Sequence, residues 1–181
     1  MNKIKFVTLS FYILLFSGFL EADGQSLVEK EVDPIFKHAI GAGAGFTTGY
    51  GISYRYMPNK YGFQLNFAPY HDKIIDRYSI GFTVLYTIIK NKISSLYLYQ
   101  GNHYYYNSEL VDKFSLDPNK PYDPNPVKER VKTSYMNNGI GFGIELIIAK
   151  RIGFNLMTGY ASYRNFEELN LTGETALYYK F

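Results

Sequence analysis

Few residues of this 181-residue chain could carry catalysis, and none of them is a cysteine, which excludes disulfides, thiolate metal sites and a cysteine nucleophile. The chain has three histidines, His38, His71 and His103, and Ser108 and Glu109 follow the last of them. A catalytic triad is defined by geometry, and these residues show no compact spacing of base and nucleophile. We therefore expect His103 to lie among neighbouring tyrosines at a rim, and we expect no enzyme activity, cofactor or metal.

Two charged residues, Arg55 and Glu145, lie inside segments in which apolar residues alternate with small or polar ones. Both fall on the small, polar side of their segments. An unpaired charge inside a narrow protein interior is costly. We therefore predict an ion pair between Arg55 and Glu145, and we favour a structural plug over a gate.

The elements that would position these residues are β-strands, because side chains alternate with period two along most of the chain after residue 37. We predict strands at residues 38–46, 50–57, 61–68, 77–89, 93–106, 133–149, 152–163 and 173–181. The length of each predicted strand is near that of a tilted strand that crosses a bilayer, which is about 9–11 residues, and none of the strands contains a proline. The register of the fifth strand stays open, because large residues are consecutive over 96–99.

The predicted connections alternate in length. Those after strands two, four and six are tight, at residues 58–60, 90–92 and 150–151, and residues 47–49 also form a tight turn. Those after strands three, five and seven are longer, at residues 69–76, 107–132 and 164–170. Residues 107–132 contain many prolines and mixed charges, which predicts an exposed loop. Short turns at one rim and long loops at the other are typical of membrane barrels.

The polar faces of these strands decide between two barrel types. A soluble barrel would turn its apolar face inward and carry many Lys and Glu residues outside. Here the polar faces consist of Gly, Ser, Thr, Asn, Gln and Ala, with Arg55 and Glu145 the only charges clear of the strand ends. Glycines 41, 43 and 45 share one face of the first strand, which predicts an inward face that leaves room for large neighbours. We predict an all-β fold: a single closed antiparallel transmembrane β-barrel of about eight strands in meander topology.

The N-terminal region has the composition of an export signal. Lys3 and Lys5 precede an apolar stretch at residues 6–20, and Ala22 and Gly24 provide small residues where a signal peptidase cuts. A membrane anchor is the alternative, but the apolar stretch is short for a bilayer. We predict a signal peptide at residues 1–24, a lead-in at 25–36 and a barrel at 37–181.

The last strand ends on Phe181, with Tyr179 and Leu177 at alternate positions before it and Gly173 further back. This pattern resembles the C-terminal signal of outer-membrane β-barrels, which the assembly machinery of that family reads. Together with the strand pattern, it resembles the eight-stranded barrels of the OmpA/OmpX type along nearly the whole mature chain. The resemblance implies an integral outer-membrane location after export.

The expected function is an integral outer-membrane barrel with a structural or surface-interaction role and a lumen filled by side chains, because eight strands leave little interior space. The expected partners are outer-membrane lipid, the barrel-assembly machinery through the C-terminal strand, and a surface ligand through residues 107–132. A net charge of +3 without a basic run does not indicate nucleic-acid binding. A small-solute pore and an outer-membrane lipid-modifying enzyme are the alternatives.

Overall fold

The computed structural model describes residues 36–113 and 127–181, which form an eight-stranded antiparallel barrel. The strands are β1 His38–Ala44, β2 Gly51–Tyr56, β3 Tyr61–His71, β4 Ile75–Lys90, β5 Ser94–Lys113, β6 Val127–Ile147, β7 Ile152–Tyr163 and β8 Glu168–Lys180. Each strand pairs with its neighbour in the chain, and β8 pairs with β1 to close the ring. The predicted closed eight-stranded meander is therefore confirmed. The predicted signal peptide at 1–24 and almost all of the predicted lead-in lie outside the described residues.

Each strand has an apolar outer face and a polar inner face. Outward side chains such as Ile52 and Phe142 are 67% and 56% exposed, whereas inward Ser53 and Asn155 are fully buried. The pleat turns successive side chains to opposite faces, so the sequence alternation directly produces this arrangement. The predicted outward orientation of the apolar face is confirmed.

The fifth strand takes the register that places Tyr97 and Tyr99 inside the barrel. Gln100 and Asn102 consequently lie on the outer face, where they bond to each other. Gln100 Nε2 donates to Asn102 Oδ1 at 2.9 Å, and Asn102 Nδ2 donates to Gln100 Oε1 at 3.1 Å. This mutual bonding lowers the cost of two amides on an otherwise apolar surface.

The strands β5 and β6 are longer than predicted, so the prediction of one loop at residues 107–132 is wrong at both of its ends. Their pairing continues from Asn107 opposite Thr133 to Lys113 opposite Val127. Opposite charges face each other within this projection, as in the cross-strand pair Asp112 and Lys128, and such pairs stabilise a hairpin. Residues 114–126 lie outside the described residues. We call the barrel end that carries this hairpin the distal end, and the end with His38 and Lys180 the proximal end.

A proline lies inside β3, contrary to prediction. Pro69 pairs with Tyr78 of β4, and the predicted connection at residues 69–76 shrinks to residues 72–74. On the other side of β3, the pairing with β2 ends at Phe67 opposite Ile52. Pro69 therefore occupies an edge position, where its missing N–H group costs no ladder bond.

The connection between β7 and β8 is also shorter than predicted, because β8 begins at Glu168. Arg164, Asn165 and Phe166 have positive φ angles of 50°, 61° and 73°. Asn165 holds this conformation by bonding to β6: its backbone nitrogen donates to Met136 O at 2.9 Å, and its Oδ1 accepts from Met136 N at 3.0 Å. The tight turn is thus fixed to a strand that is not its neighbour in sequence.

Candidate functional site: the filled lumen and its inward loop

The structure brings Arg55 of β2 and Glu145 of β6 together inside the barrel. Arg55 Nη1 lies 3.5 Å from Glu145 Oε1, and both side chains are buried. Lys180 of β8 lies on the opposite side of the carboxylate, with its Nζ 2.5 Å from Glu145 Oε2. One carboxylate therefore serves two cations. Lys180 was missed by the sequence analysis, although its place on the inward side of the last strand is visible in the alternation.

Further groups surround the Arg55 guanidinium. Its Nη2 donates to Gln64 Oε1 at 2.6 Å, and its Nη1 donates to Asn155 Oδ1 at 2.9 Å. The guanidinium also lies over the Tyr178 ring at 4.4 Å from its centroid and 5.4 Å from that of Tyr97, within the range of cation–π attraction. These contacts hold the charge in one position and fill the proximal half of the lumen.

The distal half of the lumen is filled by backbone. Residues 45–50, which we call the inward loop, connect β1 to β2 by folding into the barrel. The chain turns at residues 46–48, close to the predicted turn at 47–49, but the connection is longer than predicted. Thr47 and Thr48 are only 0% and 1% exposed. Glu174 of β8 accepts hydrogen bonds from Thr48 N at 3.0 Å, from Thr47 N at 3.3 Å and from the Thr47 hydroxyl. Two successive backbone N–H groups thus form a small anion-binding nest for a carboxylate.

Glycines on three successive strands leave the space that the inward loop occupies. A Cβ atom at Gly101 would lie 2.7 Å from Thr47 O, and one at Gly139 would lie 2.7 Å from the Thr47 side chain. A Cβ atom at Gly81 would collide with Thr48 O. At Gly81 and Gly101 the backbone of the loop approaches the wall so closely that only glycine fits, and at Gly139 the Thr47 side chain takes the space of a Cβ atom. The sequence alternation places Gly81 and Gly139 on inward positions and leaves Gly101 open with the register of its strand, but it does not show what the glycines accommodate.

His103 forms hydrogen bonds to the inward loop and to Ser79, and not to Ser108 or Glu109, the residues that could have formed a catalytic group with it. Its Nδ1 is 2.9 Å from Phe46 O, a carbonyl that can only accept, so Nδ1 carries the proton. Its Nε2 therefore accepts from Ser79 Oγ, 2.8 Å away. Both ring nitrogens are thus used, and Ser79 is fully buried, which leaves it no surface to meet a substrate.

The other two histidines lie at opposite ends of the barrel. His38 Nδ1 is 2.7 Å from Tyr54 Oη at the proximal end. His71 bonds to Asp76 at the distal end, and Arg130 Nη1 donates to the same carboxyl at 3.0 Å. The hydrogen bond from His71 lowers the pKa of Asp76 below its usual range, and the charge of Arg130 acts in the same direction. Among residues 36–113 and 127–181, no group of three acidic, His or Cys side chains could hold a metal ion.

A chain of hydrogen bonds through two side-chain amides joins the two halves of the lumen. Gln64, which accepts from Arg55, donates through Nε2 to Asn66 Oδ1 at 3.1 Å. Asn66 Nδ2 then donates to Gly49 O of the inward loop at 2.9 Å. The loop is therefore tied both to the wall and to the buried ion pair.

The residues of the predicted C-terminal signal lie on the outer face of β8. Leu177, Tyr179 and Phe181 are each about half exposed, and Gly173 faces open space. Phe181 closes the ring by exchanging backbone hydrogen bonds with His38 at 2.9 and 3.1 Å. Recognition of this strand by an assembly machinery stays a prediction.

Comparison with known proteins gives structural likenesses only. No protein-family model matches the chain, and no curated protein sequence matches it significantly. The N-terminal β-barrel domain of Pseudomonas aeruginosa OprF is 12% identical, with 80% of this chain and 95% of that chain covered and a TM-score of 0.46. Neisserial surface protein A is 15% identical, with 80% and 93% covered and a TM-score of 0.42. Ail, the attachment invasion locus protein of Yersinia pestis, is 15% identical over the same shares, with a TM-score of 0.33. At these scores, the eight-stranded fold rests on the strand pairing of this chain itself.

Proposed function

We propose that this chain is an integral outer-membrane protein with a closed lumen, which serves as a rigid scaffold that presents its distal hairpin to the surroundings. The observation that carries the proposal is the combination of an apolar outer face with an interior filled by bonded polar groups and the inward loop. A water-soluble barrel has the opposite arrangement, with its apolar side chains inside.

The outer surface supports a membrane location. In hydrocarbon every backbone polar group must be satisfied internally, and a closed ring of strands achieves this. Exposed tyrosines border the apolar surface at both ends, as expected where a bilayer meets water. Tyr61 and Tyr179 lie near the proximal end, and Tyr70, Tyr78 and Tyr104 lie near the distal end. Export through the predicted signal peptide belongs to the same proposal.

The interior supports a closed lumen rather than a small-solute pore. The Arg55–Glu145–Lys180 cluster blocks the proximal half, and the inward loop blocks the distal half. An eight-stranded barrel has an interior just wide enough for side chains. With two blocks in series, we expect no continuous water path through the barrel.

The distal hairpin supports a role in surface interaction, because exposed segments on a rigid scaffold often carry recognition. The paired part of the hairpin extends the barrel wall beyond the exposed tyrosines and carries Arg130 and Lys132 on one strand. An open cavity of about 530 Å³ lies beside it, above the inward loop, lined by Phe46, Tyr163 and Arg164 among others. The proposed partners are outer-membrane lipid, the assembly machinery through the C-terminal strand and a surface ligand at this end.

A pair of matched substitutions tests the membrane location. Ile140 is 53% exposed on the outer face of β6, and Val131 is 42% exposed on the same strand within the hairpin. We expect Ile140→Lys to destabilise the protein in lipid vesicles by about 2–4 kcal/mol, because a lysine near the bilayer midplane carries that cost. Val131→Lys, above the bilayer, should change the free energy of unfolding little. Equal small effects, or a mature chain that stays monodisperse in buffer without detergent, would overturn the proposal.

The closed lumen is tested on the same reconstituted protein. Heat-modifiable migration on a gel first establishes that the barrel is folded, and planar bilayer recording then measures conductance. We expect only rare, brief openings. A large, steady conductance would overturn the closed scaffold in favour of a small-solute pore. An altered acyl pattern of lipid A in cells that express the protein would overturn it in favour of a lipid-modifying enzyme.

A further inference from the structure

The charges of the barrel are distributed unequally between its two ends. The proximal end carries exposed basic side chains: Lys37, Lys60, Lys90, Lys92, Lys150 and Arg151. Apart from the buried Glu145 and Glu174, the Asp and Glu side chains of residues 36–113 and 127–181 all lie at the distal end. The proximal surface therefore has a concentrated positive charge with no exposed carboxylate side chain of the described residues beside it.

The strongest part of this charge lies on two adjacent turns. The turn after β4 lies beside the end of β6, because Ile147 N, in the last residue of β6, donates a hydrogen bond to Ile93 O at 2.8 Å; the turn after β6 follows directly. We call their cations the proximal basic patch: Lys90, Lys92, Lys150 and Arg151. Two neighbouring turns thus bring several cations to one sector of the rim, where their charges reinforce each other at a surface.

Arg151 is held in place within this patch. Its Nη1 donates to Tyr179 Oη at 2.9 Å, and its guanidinium lies 5.0 Å from the centroid of the Phe36 ring. Ala149 and Lys150, directly before Arg151, adopt positive φ angles of 93° and 53°, which fix the conformation of the turn. A guanidinium has five N–H donors in a planar fork that matches a phosphate, so the donor used by Tyr179 leaves others for a ligand.

Apolar side chains beside the patch indicate which kind of phosphate fits. Ile93 is 72% exposed and Ile148 is 57% exposed, on the same two turns as the cations. A free phosphate gains nothing from exposed isoleucines, whereas a phospholipid places its headgroup against the cations and its acyl chains against the apolar side chains. We propose that the proximal basic patch binds the headgroup phosphates of anionic phospholipids. This inference rests on the proposed membrane location.

The test compares the affinities of spin-labelled phosphatidylglycerol and phosphatidylcholine for the full-length protein in phosphatidylcholine vesicles, measured by electron paramagnetic resonance. We expect a preference for phosphatidylglycerol in the parent protein. The triple variant Lys92→Gln, Lys150→Gln and Arg151→Gln should lose most of it, because each basic residue near an anionic lipid surface contributes about fivefold in affinity. The control variant Lys73→Gln, Lys128→Gln and Lys132→Gln removes the same charge at the distal end and should keep the preference.

The outcomes separate the patch from the membrane location. If the chain does not insert into pure phosphatidylcholine vesicles, the proposed function itself fails. If it inserts and both triple variants lose the preference equally, the preference depends on the total charge of the protein, and the proposal that the proximal basic patch binds the lipid is overturned. If inorganic phosphate at matched ionic strength abolishes the preference where chloride does not, the patch is a site for free phosphate and the lipid assignment is overturned.

Discussion

Glu174 Oε2 accepts a hydrogen bond of 3.0 Å from the backbone nitrogen of Thr48, so the last strand of the barrel holds a loop that belongs to the first hairpin. The bond joins residues 126 positions apart in the chain. Because Glu174 lies on β8, the inward loop acquires this partner only when β8 is in place beside β1. Closure of the ring and closure of the lumen are therefore coupled.

Substitution of Glu174 by glutamine should release the inward loop. Glutamine keeps one acceptor oxygen, but its amide nitrogen is a donor and would replace the other oxygen, so one of the two N–H groups of Thr47 and Thr48 would lose its acceptor. We expect more frequent channel openings in planar bilayers and faster protease cleavage within residues 45–50. The control is Glu168→Gln, since Glu168 is an exposed residue at the distal rim. Equal conductance in the two variants would contradict the role of Glu174.

Gly81→Ala should displace the inward loop from the other side. A Cβ atom at Gly81 collides with Thr48 O, and backbone cannot move aside as a side-chain end can. Gly173→Ala is the matched control, because Gly173 lies on the outer face of β8 and a Cβ atom there meets nothing within 4 Å. We expect Gly81→Ala to raise conductance while Gly173→Ala leaves it unchanged. A Gly81→Ala barrel that folds and stays closed would show that the loop tolerates this contact.

The sequence predicts the barrel well because strand alternation depends on each residue and its immediate neighbours. Period two places Leu177 and Tyr179 on one face of the last strand, and the small polar residues on the opposite faces of the strands indicate that this face points outward. The inward loop could not be predicted in this way. Its contacts join Thr47 and Thr48 to Glu174 on the last strand. The loop has ordinary turn composition, and local sequence does not indicate a hydrogen bond to a residue so distant in the chain.

Two errors of strand length have a similar origin. The prediction ended the third strand before Pro69, because proline has no N–H group for the hydrogen bonds between strands. That group is needed at Pro69 only if β2 extends far enough to pair there, and the pairing with β2 ends at Phe67. The prediction ended the fifth strand near Tyr106 because polar residues follow. Once β5 and β6 are adjacent, cross-strand pairs such as Asp112 and Lys128 extend the hairpin beyond the apolar region. Both outcomes depend on the neighbouring strand.

Arg55→Met should destabilise the barrel strongly. The substitution leaves Glu145 with Lys180 but without its buried guanidinium partner, and it also removes the donors to Gln64 and Asn155. Removal of one partner from a buried pair costs about 3–5 kcal/mol, and Lys180 should keep the loss near the lower value. The measurement is equilibrium urea unfolding in lipid vesicles. The single variants Arg55→Met and Glu145→Gln and their double variant form a double-mutant cycle, in which the double variant should lose less stability than the sum of the two single losses. Additive losses would show that Arg55 acts mainly through its amide and ring contacts.

The bridge at the distal rim should depend on pH. The hydrogen bond from His71, together with the charge of Arg130, lowers the pKa of Asp76. A carboxyl whose pKa is depressed by folding contributes stability that is complete above its unfolded pKa and is lost as the pH falls through the lower folded pKa. The bridge should therefore persist through mildly acidic conditions. Titration of the Asp76 carboxyl carbon by NMR measures this pKa, and Arg130→Gln should raise it, because Arg130 Nη1 lies 3.0 Å from Asp76 Oδ2. An Asp76 pKa at the ordinary aspartate value in the parent protein would show that the bridge does not form in solution.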